Sequence, residues 1–185
     1  WNFMEKKKFH DPNIDRKSKI YNDSFVQLKN GTPLPAIIEI SNSGVCNRKC
    51  SFCPRSDPNY PDINEFISKN LHNKLCDELK EINFSGLIIY SGFVEPMLDK
   101  NIYNLVNYAK KTNPSARVEI ISNGDVLNEK RLKKIYESGL DRLQISLYDG
   151  EDQFKKFQQL GKSLNLSEEQ YVLRKRYLPE EQDFG

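Results

Sequence analysis

Residues 36–53, AIIEISNSGVCNRKCSFC, join a short β-branched run to three closely spaced cysteines. The isoleucine-rich start of this stretch, residues 36–40, predicts a β-strand. Cys46, Cys50 and Cys53 follow in a Ser- and Asn-containing segment that predicts an irregular loop. Thiolates are soft ligands that select iron–sulfur clusters, zinc or Cu(I). The stretch therefore predicts a metal or cluster site placed directly after a first strand.

The rest of the chain alternates short apolar runs with amphipathic segments. The apolar runs predict four further strands, at 86–90, 117–121, 142–147 and 171–177. Helical periodicity predicts intervening helices near 63–82, 101–111, 128–138 and 152–164. In the first of these helices we expect a core-facing stripe formed by Phe66, Ile67, Leu71, Leu75, Leu79 and Ile82. The alternation predicts βαβ units and an α/β fold with a parallel sheet, in which ligands lie at the carboxyl ends of the strands.

Length and composition limit the number of domains, the class of partner and the location of the protein. The 185 residues suffice for one domain, which we place at 36–180 behind a polar N-terminal arm at 1–35. Lys and Arg number 28 against 26 Asp and Glu. This near-balance lacks the excess positive charge expected of a dedicated nucleic-acid-binding protein. No apolar run reaches the roughly 18 residues of a membrane span, and no signal peptide is recognisable. Crowded cysteines without a disulfide pattern favour a reducing, cytoplasmic location.

Two metal chemistries compete for the cysteines. Three thiolates would leave one iron of a 4Fe–4S cluster without a protein ligand, and an open coordination position is what catalysis needs. Zinc would need a fourth ligand, and a structural or interaction module could recruit Cys76 to join the other three. Cys76, however, falls in the middle of a predicted helix, where a buried and inert cysteine is the commoner finding.

The pattern Cys-x-x-x-Cys-x-Phe-Cys after a first strand resembles the radical SAM superfamily. The resemblance implies a partial (β/α) barrel of parallel strands. It also implies that Cys46, Cys50 and Cys53 hold a 4Fe–4S cluster whose open iron binds S-adenosylmethionine (SAM). Phe52 would then lie against the adenine of SAM.

A second segment, Ser91-Gly92-Phe93-Val94-Glu95-Pro96, is similar to the Gly-Gly-Glu-Pro segment of the same family. By that likeness Ser91, Gly92 and Glu95 receive the methionyl amino group of SAM. A glycine allows the backbone to approach closely, and a carboxylate suits a cationic amine. The insertion of Phe93 and Val94 before the glutamate departs from the family pattern.

Further positions follow the later strands. Ser122 and Asn123 resemble the family's Thr-Asn-Gly turn, although Asn-Gly alone is also an ordinary turn signal. Ser146 matches a polar position that faces the ribose or carboxylate of SAM, or is a satisfied core hydroxyl. On the fifth strand the resemblance places Val172 or Leu173 against the adenine and Arg174 beside a carboxylate. Lys175 and Arg176 are expected to be solvated charges.

The resemblance also implies an activity. SAM is cleaved reductively, and a 5′-deoxyadenosyl radical abstracts hydrogen from a peptide side chain, a sugar or a nucleoside. An electron donor such as flavodoxin or ferredoxin is implied, and no side chain is assigned as a catalytic acid, base or nucleophile. Five of the family's six strands are counted, and the motifs are closest to its SPASM/twitch branch. We therefore expect the chain to be a fragment, with a sixth strand and an auxiliary-cluster domain beyond Gly185.

Overall fold

The computed structural model describes residues 12–23, 30–61 and 63–178. These residues form five α-helices and five strands, with short 3₁₀ turns at Pro54–Ser56 and Pro96–Leu98. The helices are α1 (Pro12–Asp23), α2 (Lys69–Glu81), α3 (Ile102–Thr112), α4 (Glu129–Glu137) and α5 (Glu151–Ser163). The strands are β1 (Ile37–Ile40), β2 (Leu87–Tyr90), β3 (Arg117–Ser122), β4 (Arg142–Leu147) and β5 (Tyr171–Lys175).

All five strands form one parallel sheet in the order β1-β2-β3-β4-β5. Each strand lies beside its successor in the chain, and a helix crosses over between every pair. This arrangement confirms the predicted α/β fold and the partial barrel of parallel strands. Parallel neighbours also bring their carboxyl ends to one edge of the sheet, so the loops that follow the strands meet there.

The two faces of the sheet have different surroundings. Helices α2–α5 cover one face, and their apolar side chains form a single core with alternate residues of the strands, such as Val118, Ile120, Leu143 and Ile145. Side chains alternate along a strand, so the intervening residues point to the opposite face. We call this second face, which carries Glu119, Ile121, Gln144 and Ser146, the inner face.

Helix α2 is shorter than the predicted 63–82 helix. Ser68 caps it, its Oγ accepting the Leu71 N–H at 3.2 Å, and Phe66 before the cap forms an antiparallel bridge with Ser43. The predicted core stripe is therefore wrong at Phe66, which is 45% exposed, and at Leu71, which is 60% exposed. The fully buried helix positions include His72 and Cys76, which a purely apolar pattern does not select.

Part of the predicted polar arm is helical. Within α1, Arg16 donates from Nη1 to Oε1 of Glu119 at 2.7 Å, on the inner face of β3. The remaining arm positions, 1–11 and 24–29, and the last two positions of the predicted core, 179–180, lie outside the described residues. Among the described residues, no helix has the length and apolar character needed to cross a membrane.

Candidate active site

A cavity of about 360 Å³ opens where the loops after the strands meet. Most of the residues predicted to form the site line it: Cys46, Cys50, Phe52, Cys53, Gly92, Glu95, Ser122, Asn123 and Ser146. They come from the loops after β1 and β2 and from the carboxyl ends of β3 and β4. The parallel topology thus assembles residues that are up to a hundred positions apart in the chain.

The cysteine loop is held by short-range hydrogen bonds. The Cys53 N–H donates to the Cys50 carbonyl at 2.9 Å and turns the chain between these two thiols. The Cys46 sulfur accepts the Arg48 N–H at 3.5 Å and lies 3.9 Å from Nδ2 of Asn123. Burial raises the pKa of the Cys46 and Cys50 thiols, and the neighbouring N–H and arginine groups offset part of that rise. Metal binding would therefore have to displace the thiol protons.

The donor set fits an iron–sulfur cluster better than a zinc ion. Nowhere in the described ranges do three His, Cys, Asp or Glu side chains group closely enough to hold a single metal ion. Cys76 does not line the cavity; its sulfur is fully buried and lies 3.8 Å from Nε2 of His72. The four-cysteine zinc site is therefore not assembled. Three thiols around one cavity suit a cluster, in which each cysteine binds a different iron.

Glu95 connects two of the loops. Its side chain is buried, at 1% exposure, and its Oε1 accepts the Met97 N–H at 2.9 Å and the Ser122 hydroxyl at 2.8 Å. Its Oε2 accepts the Asn123 N–H at 2.7 Å. Burial raises the pKa of the Glu95 carboxyl, while these three hydrogen bonds act in the opposite direction. The carboxylate thus fixes the turn after β3 and still faces the cavity.

Gly92 and Ser91 differ in where they lie. Gly92 lines the cavity with φ +114°, and a Cβ there would come 2.4 Å from the Ser41 hydroxyl, so only glycine fits this backbone. Ser91 is buried behind the cavity, where its hydroxyl donates to Oε1 of Glu39 at 2.6 Å. Of this predicted pair, only Gly92 is placed at the cavity.

Arg48 ties the cysteine loop to two other loops. Its guanidinium donates to both oxygens of Asp125, at 2.7 and 2.6 Å, and to both oxygens of Asp149, at 2.8 and 2.5 Å. These bonds raise the pKa of Arg48 and lower the pKa of Asp149. The guanidinium also lies 5.2 Å from the centre of the Tyr148 ring. Sequence reasoning missed this cluster because the three residues converge only in the folded chain.

An aromatic pair forms part of the cavity wall. The Phe52 ring is 44% exposed and lies 5.7 Å from the ring of Tyr148. Arg176 lies 5.5 Å above Phe52 and is only 8% exposed, so the expectation of a solvated charge is wrong for this residue. Arg174 does not line the cavity. Side chains alternate along a strand, so a residue two positions after an inner-face residue points to the same face. This spacing links Tyr148 to Ser146 and Arg176 to Arg174, and it is the sequence signal for Tyr148 and Arg176, which were not predicted.

The remaining fifth-strand predictions fall elsewhere. Leu173 packs against the helix-side core, and neither Leu173 nor Val172 is among the residues lining this cavity. Arg55, by contrast, was not predicted and does line it. Arg55 is buried, and its Nη1 donates to the carbonyls of Gly44 at 3.0 Å and Phe93 at 3.3 Å. Among the described residues, Arg55 is thus one of three arginines that line the cavity, together with Arg48 and Arg176.

Comparison with known proteins shows which family and which relatives this chain resembles. The family model of the radical SAM superfamily matches residues 40–169. The S-adenosyl-L-methionine-dependent 2-deoxy-scyllo-inosamine dehydrogenase of Niallia circulans is 32% identical over 115 residues, covering 62% of this chain and 46% of that protein. A GTP 3′,8-cyclase of Clostridium perfringens is 26% identical over 126 residues, covering 67% of this chain and 38% of that protein. The chain thus spans less than half the length of these curated relatives.

The fold of this chain is also similar to a solved structure. The crystal structure of BtrN in complex with AdoMet and 2-DOIA superposes with a TM-score of 0.67 at 29% identity. The match covers 79% of this chain and 59% of BtrN. The open conformation of BtrN matches with a TM-score of 0.60 and 28% identity, over 76% of this chain and 56% of that one.

Proposed function

The chain belongs to the radical SAM superfamily, and on that basis we propose that Cys46, Cys50 and Cys53 hold a 4Fe–4S cluster beside a bound SAM. Members of this family use both groups. The observation that carries the proposal is the convergence of the three thiols with Glu95 and Ser146 on one cavity. When bound, the cluster and SAM supply reductive cleavage of the sulfonium C–S bond and a 5′-deoxyadenosyl radical that abstracts hydrogen from a substrate.

The side chains of this protein bind and orient these groups. Under the proposal, Glu95 and the backbone at Gly92 face the methionyl amine, and Phe52 lies against the adenine. Ser122, Asn123 and Ser146 face the remaining polar groups of SAM. The resemblance places Arg174 of the fifth strand beside a carboxylate. Because Arg176 lines the cavity and Arg174 does not, we assign this role to Arg176. The protein's part is therefore orientation and exclusion of water, while the bound groups supply the chemistry.

The relatives narrow the proposed substrate class. One is named for the dehydrogenation of an aminocyclitol and another for the cyclisation of GTP, a nucleotide with a hydroxylated ribose. These names support a hydroxylated, sugar-like small molecule over a peptide side chain as the substrate of this chain. Reduction by a flavodoxin or ferredoxin, and a cytoplasmic location, remain part of the proposal.

Anaerobic reconstitution with iron and sulfide tests the proposal. We expect a brown protein with about four irons per chain, which cleaves SAM to 5′-deoxyadenosine when dithionite is added. Cys50→Ala should lose the cluster, and the matched variant Cys76→Ala should retain it because Cys76 lies in the core. A protein that takes up one zinc ion, cleaves no SAM and loses its metal on Cys76→Ala would contradict the proposal.

A further inference from the structure

We propose that Gln144 recognises the substrate from the inner face of the sheet, its Oε1 accepting a hydrogen bond from a neutral hydroxyl group. The inference deepens the proposed function and rests on it, since it concerns what binds beside SAM. Gln144 is not among the predicted site residues.

The position of Gln144 follows from the strand register. Its neighbours in β4, Leu143 and Ile145, belong to the helix-side core, so Gln144 lies on the inner face. In the sheet it pairs with Ile121 on one side and Val172 on the other. Ile121 lines the cavity, as does Ser146, the next inner-face residue of β4. Gln144 therefore lies beside Ile121, at the lower end of the cavity lining, and one inner-face position below Ser146.

The amide oxygen of Gln144 is buried without a hydrogen-bond partner among the described residues. The residue is 4% exposed, and no hydrogen bond reaches its Oε1 from the part of the chain that the structure describes. A buried polar atom without a hydrogen bond costs stability, and such costs collect at functional sites. Asn42 and Asn113 also leave an amide oxygen unpaired, but each donates its Nδ2 to a backbone carbonyl, at 3.2 and 3.0 Å. Within the described residues, these two asparagines therefore have side-chain hydrogen bonds that Gln144 lacks.

The surrounding charges indicate which kind of group donates the hydrogen bond that Gln144 accepts. Arg142 precedes it on the inner face, and Arg174 pairs with the next inner-face position of β4. These cations disfavour an ammonium donor. Glu119 pairs with Arg142 in the sheet, but its carboxylate already accepts from Arg16 at 2.7 Å. A neutral hydroxyl is the donor that suits this setting, and it agrees with a hydroxylated substrate.

Ligand binding to the reconstituted protein tests the assignment. The probes are 2-deoxy-scyllo-inosamine and guanosine, titrated by calorimetry in the presence of SAM, and SAM titrated alone. Gln144→Met should weaken the better-bound probe roughly 3- to 10-fold, the usual effect of one neutral hydrogen bond, and leave SAM binding unchanged. Gln144→Glu keeps an acceptor at this position and should restore probe binding.

Thermal unfolding without any ligand gives a second readout. Gln144→Met removes an unpaired buried amide and should raise the melting temperature by about 2–4 °C. The matched control is Gln170→Met, because the Oε1 of Gln170 accepts the Ser167 N–H at 3.2 Å in an exposed turn away from the cavity. This control should leave probe binding unchanged and should not raise the melting temperature.

Several results would overturn the inference. These are a lower melting temperature for Gln144→Met, equal probe binding by this variant, weakened binding of SAM alone, or a wild-type protein that binds neither probe. Cleavage of SAM by the wild-type protein separates the two proposals. If cleavage occurs and Gln144→Met binds the probe normally, only the role of Gln144 is lost. If cleavage never occurs, the proposed function fails.

Discussion

His72 lies buried under the carboxyl end of β2, in a polar cluster inside the helix-side core. Its Nε2 lies 2.7 Å from the Tyr90 hydroxyl, and the Cys76 sulfur lies 3.8 Å from the same nitrogen. Burial lowers the pKa of His72 and raises the pKa of Cys76 to about 12. Because Tyr90 directly precedes the segment that leads to Glu95, this cluster supports one wall of the site.

The lowered pKa of His72 predicts how stability depends on pH. The folded state disfavours the protonated ring, so below pH 6.5 the unfolded chain takes up the proton more readily. The stabilisation is complete above pH 6.5 and is lost as the pH falls below that value. We expect the free energy of unfolding in urea to decrease between pH 7.5 and pH 5. His72→Gln should flatten that dependence relative to the wild-type protein; a variant slope equal to the wild-type slope would refute the assignment.

At the scale of elements, α2 offers a matched pair of substitutions. Leu79 is 4% exposed and belongs to the core, while Leu71 is 60% exposed in the first turn of the same helix. Leu79→Ala should lower the free energy of unfolding by about 2–5 kcal/mol. Leu71→Ala should change it by no more than about 0.5 kcal/mol. Urea denaturation measures both changes. A large loss of unfolding free energy on Leu71→Ala would show that α2 buries the predicted apolar stripe that includes Leu71.

The loop that carries the cysteines is the element on which the proposed cluster depends. Arg48 holds it against Asp125 and Asp149 through paired hydrogen bonds. Lysine has no planar fork with which to form such pairs. Arg48→Lys and Arg48→Met should therefore release iron to a chelator roughly fivefold faster than wild type, equivalent to about 1 kcal/mol. Lys130→Met, an exposed change on α4, is the control, and an unchanged rate in both Arg48 variants would contradict the role.

Elements and motifs differ in how far the sequence predicts them. The five strands and the site residues Cys46, Glu95 and Asn123 follow from local patterns, because each pattern is contained in a few consecutive residues. The start of α2 was missed because Phe66 pairs with Ser43 outside the helix and Ser68 caps it, contacts that involve a distant segment of the chain. Arg48 was missed because its partners lie in other loops, where only the folded chain brings them together.

At the scale of the whole molecule, α1 and the cavity lie at different levels of the same inner face. Glu119 is three residues before Ser122 in β3, so the Arg16–Glu119 pair lies deeper in the sheet than the cavity lining. The side chain of Glu119 is 3% exposed, and that of Arg16 is 18% exposed. Part of the segment predicted as a polar N-terminal arm is thus attached to the strand that leads into the site.

This attachment predicts that the N-terminal segment contributes to the stability of the barrel. Within the described ranges, Arg16→Met leaves the buried Glu119 carboxylate with one ion-pair partner, Arg117, whose Nε lies 3.4 Å away. The free energy of unfolding should fall by about 1–3 kcal/mol. Glu119→Gln in the same chain should recover part of the loss, because the unpaired buried charge is removed. Lys19→Met, an exposed change on α1, should have little effect; a loss as large as that of Arg16→Met would mean that helix α1, and not the ion pair, carries the stabilisation.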